Sequence, residues 1–208
     1  MKLPSLNKQS LSASLLLLVA INIAVIIVAI AESWSLGTIV WTYWLQSIII
    51  GLFQALKMLT LKEFSTDGVR INNQPVSPTI ATKIRMTIFF IIHFGFFHLV
   101  YAGFLSGLAE AAEWRTVCLA GLSFFANHLF SYFENRSIDK TKRPNIGRLM
   151  IFPYARIIPM HLIIMFGALL APHATATLIV FLLLKTVADA LMHIVEHAEI
   201  QTTSHSSG

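Results

Sequence analysis

The sequence predicts an all-α fold, a polytopic bundle of about six transmembrane helices, and three observations predict it. Apolar residues fill 56% of the 208 positions while charged residues fill only 12%, about half the share usual in soluble domains. The apolar residues gather into six runs, most of them near the roughly 20 residues a helix needs to cross a bilayer. The lysines and arginines between those runs collect in alternate loops, as topology signals do. A soluble chain of this size has nowhere to hide so much apolar surface, so the lipid bilayer is the expected partner. The net charge of +5 does not point to nucleic acid, because the basic residues are spread through short loops.

Taken in order, the expected spans are 11–31, 38–58, 85–105, 115–134, 156–171 and 174–196, within one integral-membrane domain over 1–201. The fifth is short and has Pro153 and Pro159 near its start, where proline suits a first turn or a kink. Residues 202–208 form a polar tail, expected to be disordered. A secretory leader ending at Ala29-Ile30-Ala31 is a competing reading of the first span, although Leu11 to Ala31 is longer than the usual leader core. Between the second and third spans, Asp67-Gly68, Asn72-Asn73, Pro75 and Pro78 read as turns. The basic loop between the fourth and fifth spans is expected to lie near the anionic inner leaflet.

Thirteen of the fifteen lysines and arginines fall on one side: Lys2 and Lys8, then Lys57, Lys62, Arg70, Lys83 and Arg85, then Arg136, Lys140, Lys142, Arg143, Arg148 and Arg156. The other side has Arg115, and Lys185 lies within the sixth span. This asymmetry predicts that both termini are cytoplasmic. Cys118 is the sole cysteine, so no disulfide within the chain and no thiolate metal cluster is possible.

Ionisable groups inside a bilayer are costly and call for a partner or a purpose. Lys185, Asp189, His193 and His197 recur every four residues in the sixth span, with Glu196 beside them. Each step of four turns only about 40°, so they share one helix face, which must look into the bundle. Lys185 and Asp189, one turn apart, are expected to form a charge pair. Depth estimates from the helical rise also put His93, His128, His161, Gln54, Asp189 and His193 in one layer of the inner half, with His98 outside it. Imidazoles and a carboxylate at one level suit a divalent metal such as zinc, or a proton relay. Two other readings stand beside this one. His193-Ile194-Val195-Glu196-His197 has the inverted zinc-hydrolase spacing. Alternatively, the polar residues are only hydrogen-bonded links between helices, which is the ordinary role of amides and hydroxyls in membrane bundles. That role also suits Gln46 with Gln54 in the second span, and the Ser123, Asn127, Ser131 and Glu134 face of the fourth.

The chain resembles an uncharacterised family of bacterial and archaeal membrane proteins, a domain of unknown function. The resemblance rests on Tyr43-Trp44-Leu45-Gln46, Gly51-Leu52-Phe53, Leu56-Lys57-Met58 and His93-Phe94-Gly95-Phe96-Phe97-His98. It continues in Pro153-Tyr154-Ala155-Arg156, His161, and Lys185-Thr186-Val187-Ala188-Asp189 leading to His193. A glutamate is usual where Gln46 stands, so any carboxylate role there is absent from this chain. The resemblance implies the six-helix fold and no particular activity.

Overall fold

A computed structural model describes residues 8–139, 143–158, 161–162, 179–180, 182–188 and 190 of the chain. Helix α1 covers Lys8–Ala31. It ends in a tight turn in which Ser33 takes a positive φ of 52° and the Trp34 N–H reaches back to the Ala29 carbonyl at 2.8 Å. Helix α2 runs Leu36–Thr60, α3 runs Ile80–Leu105, and α4 runs Trp114–Asp139. A short helix, α5 (Ile146–Ile151), leads directly into a 3-10 turn over Phe152–Arg156. The all-α expectation is met, and among the described residues three helices are long and apolar enough to cross a membrane: Leu36–Thr60, Ile80–Leu108 (α3 with a terminal 3-10 turn) and Trp114–Glu134. Most of the residues expected to form the fifth and sixth spans lie outside the described set.

Side chains start these helices where orphan backbone N–H groups need acceptors. Ser35 accepts from the Thr38 N–H at 3.1 Å, Thr79 from the Thr82 N–H at 3.2 Å, and Asn145 from the Arg148 N–H at 3.1 Å. Helix α2 is the central one: 56% of its apolar window is buried, against 28% for α3 and 11% for α4. Two glycines allow the close approach. A Cβ on Gly51 would overlap the Phe94 ring of α3, and one on Gly121 would overlap Leu45 of α2. Val40, Met58, Phe90 and Ile146 are among the most deeply buried apolar side chains.

The two loops on the basic side are joined into one small cap. Arg70–Ile71 and Gln74–Pro75 form an antiparallel hairpin, β1 and β2. Asn72 and Asn73, at φ 51° and 62°, supply the two left-handed residues that a tight hairpin turn requires. Ser65 then pairs in parallel with Asn145. The Ser65 N–H donates to the Pro144 carbonyl at 2.9 Å, and the Ile146 N–H donates to the Ser65 carbonyl at 3.0 Å. The Asn145 amide adds a bond to the Asp67 carbonyl at 2.8 Å. The turn residues read from the sequence are thus a folded cap across the ends of α2 and α3.

The chain enters the bundle earlier than the expected boundary at 156. Ile146 is fully buried and Leu149 nearly so. Tyr154 lies beside Phe90 and Phe94 of α3, with ring centroids 6.1 and 5.5 Å away. Residues 146–156 therefore already climb alongside α3, driven by the burial of an apolar segment that the basic residues around it disguised.

Candidate functional site: a histidine and hydroxyl row along α3

The buried face of α3 carries Phe90, Phe94, His98, Tyr101 and Leu105. Their spacing of three and four residues is that of one helical stripe. His98 sits at its centre, only 3% exposed. Its Nδ1 lies 2.9 Å from the Phe94 carbonyl. A carbonyl can only accept, so Nδ1 carries the proton. In the neutral ring Nε2 is then an acceptor, and it takes the hydroxyl proton of Ser47 on α2 at 2.9 Å. The Trp44 indole N–H, one turn away on α2, donates to the His98 backbone carbonyl at 2.9 Å. Depth alone had set His98 aside. The i, i+4 spacing of Phe94 and His98 was the signal that would have found it.

Two more ring–hydroxyl pairs flank this centre. His93 Nδ1 shares a hydrogen bond with the Tyr154 hydroxyl at 2.8 Å. Its ring stacks on Phe89, with centroids 5.2 Å apart. Tyr101, itself 3% exposed, shares a hydrogen bond with His161 Nδ1 at 3.1 Å. His93 and His161 are both exposed. The three pairs follow one another along α3 from His93 through His98 to Tyr101, which is about 12 Å of helical rise.

Among the described residues the histidines of the expected layer have separate partners, and two further members, Asp189 and His193, lie outside the described set. His161 lies opposite Tyr101 rather than level with His93, because the chain began its climb at Ile146. His128 turns toward α2. Its Nδ1 donates to the Phe124 carbonyl at 3.2 Å and its ring lies 5.9 Å from that of Phe53. Gln54 meets backbone: its amide donates to the Leu149 carbonyl at 2.7 Å. Gln46 is half-buried on α2. Lys185 Nζ lies 5.8 Å from the centre of the Tyr43 ring, a cation–π distance, so its face looks into the bundle. Asp189, His193, Glu196 and His197 lie outside the described residues, and with them the Lys185–Asp189 pair and the inverted zinc spacing. Among the described residues, no three histidine, cysteine or acidic side chains gather as metal ligands.

These observations define a class: an all-α protein with, among the described residues, three helices apolar and long enough for a membrane, and a row of imidazole–hydroxyl pairs along α3 that is buried at His98 and exposed at His93 and His161. The chain belongs to a family of unknown function, DUF6498, whose pattern matches residues 4–206. The match to an uncharacterised family expected from the sequence motifs thus holds for nearly the whole chain. No curated protein and no solved structure matches it.

Proposed function

We propose that this is a polytopic membrane protein, with both termini in the cytoplasm, that passes protons through its bundle along the histidine and tyrosine row of α3. The observation that carries this reading is the succession of three pairs, His93 with Tyr154, His98 with Ser47, and Tyr101 with His161. Imidazole both takes and gives a proton near neutral pH, and hydroxyls bridge between rings. His93 and His161 are the exposed ends of the row, while His98, Ser47 and Tyr101 between them are buried. A metal ion fits this row less well, because both ring nitrogens of His98 already have partners.

A specific observation favours a second reading, in which the row is structural. His98 binds α2 twice, through its ring to Ser47 and through its carbonyl to Trp44. Proton flux into liposomes loaded with a pH-sensitive dye, driven by a potassium diffusion potential, separates the two. Flux above protein-free liposomes that falls at least tenfold in Tyr101→Phe and Tyr154→Phe supports conduction. Flux equal to that of empty liposomes leaves the structural reading. Orientation is checked with cysteines at Gln74 and Ser77 in a Cys118→Ser background. They should resist impermeant maleimide added outside intact cells, and labelling there would overturn the topology.

A further inference from the structure

Tyr154 brings to the row a hydroxyl that belongs to neither α2 nor α3, so its height against His93 has to be set from elsewhere. The segment that carries it is one short rod. The Phe152 N–H bonds the Arg148 carbonyl and the Ile157 N–H bonds the Tyr154 carbonyl, so α5 passes into the 3-10 turn without a break. From Ile146 to Tyr154 the rod gains about 12 Å of helical rise. Its sides are held by burial of Ile146 and Leu149 and by the Phe90 and Phe94 rings. Burial of this kind is non-directional and tolerates sliding along the bundle. The hydrogen bond between His93 and Tyr154, at 2.8 Å, does not.

Directional bonds gather at the foot of the rod. The loop between α2 and α3 is fixed at the base of α3, where the Lys83 ammonium donates to the Leu61 carbonyl at 2.8 Å. The foot is tied to that loop by the Ser65 N–H on the Pro144 carbonyl at 2.9 Å and the Ile146 N–H on the Ser65 carbonyl at 3.0 Å. Between them, the Asn145 amide donates to the Asp67 carbonyl at 2.8 Å. The same side chain starts the rod, because its Oδ1 accepts the Arg148 N–H at 3.1 Å. Asn145 therefore holds the loop with one end of its amide and α5 with the other. The fit is close, since a Cβ on Gly147 would overlap Val69 of the loop. Gln54 fixes the middle of the rod to α2 through the Leu149 carbonyl, which leaves the register against α3 to the foot. We propose that Asn145 is a positioning residue, which through this foot sets the height of Tyr154 against His93. The proposal rests on reading that pair as one link of the proton row, and its effect on the pair is measurable without proton flux.

The test uses the full chain in liposomes, with nitrogen-15 histidine throughout and fluorotyrosine at position 154 only. Solid-state nuclear magnetic resonance reads the fluorine–nitrogen dipolar coupling, and its loss in His93→Gln assigns it to the pair. Asn145→Ser keeps an oxygen to cap α5 and removes the donor to Asp67. Gly147→Ala keeps every hydrogen-bonding group and wedges the loop away from the rod. Each should halve the coupling or reduce it further. Gly121→Ala, which disturbs the contact of α4 with α2 instead, should leave it intact. Coupling undiminished in whichever of the two cap variants folds overturns the proposal. An equal fall in Gly121→Ala overturns it as well, since the cause would then be general loosening. A wild-type chain without the coupling removes the pair and the proposal with it. If the coupling falls in the cap variants while liposome proton flux stays at the wild-type level, the positioning stands and the proton row fails.

Discussion

Gln54 and Pro153 are far apart in sequence and serve one backbone carbonyl. The Phe152 N–H bonds the Arg148 carbonyl, so the i to i−4 ladder is intact up to that rung. The next rung needs an N–H at position 153 for the Leu149 carbonyl, and proline has none. The Gln54 amide supplies the missing donor at 2.7 Å. Gln54→Met keeps the volume and removes the donor, and an unsatisfied buried carbonyl costs about 1–3 kcal/mol. Polar contacts measured in membrane bundles average about 0.6 and reach about 1.7 kcal/mol, which places the expected loss near the lower half of that range. Pro153→Ala restores an N–H at the right rung. In that background Gln54→Met should cost little, giving a coupling energy of about 1 kcal/mol in a double-mutant cycle. The assay is reversible unfolding in mixed micelles of rising SDS content, followed by far-ultraviolet circular dichroism. Equal losses from Gln54→Met in both backgrounds would refute the reasoning.

Gly51→Val should separate α2 from α3, since any Cβ there meets the Phe94 ring. An overpacked interface costs about 1–3 kcal/mol, visible in the same unfolding assay, whereas Gly95→Val, with open space around it, should cost much less. His98→Leu should lose about 1–3 kcal/mol, because it strands the buried Ser47 hydroxyl. The double change with Ser47→Ala should recover part of that loss; strict additivity would show that the pair is not coupled.

The apolar runs carried the long helices because lipid imposes a simple length rule. The 38–58, 85–105 and 115–134 segments lie inside or at the edges of α2, α3 and α4. The path of residues 146–156 was hidden, since basic residues flank a short apolar stretch that periodicity cannot place. Polar residues were legible as residues with a purpose, but their partners were not. Gln54 stood out by depth, yet nothing in the sequence linked it to Pro153. His93 and His161 were singled out, and Tyr154 and Tyr101 were not, because a tyrosine in an apolar run reads as packing until a ring nitrogen is found beside its hydroxyl. Depth estimates ignore helix rotation, and rotation decides that His98 meets Ser47 while His128 faces Phe53.

The pairing of Ser65 with Asn145 also sets a schedule for the nascent chain. The loop after α2 emerges from the ribosome about 80 residues before the segment that completes it, which at about 5–20 residues per second is a delay of roughly 4–16 s. During that interval α2 and α3 can insert, but Ser65 has no strand to pair with. The cap closes only once α4 has been threaded and Asn145 has returned to the same side. If the long helices span a membrane, a chain whose fourth helix inserts the wrong way round leaves Asn145 on the surface opposite Ser65, and the cap cannot form.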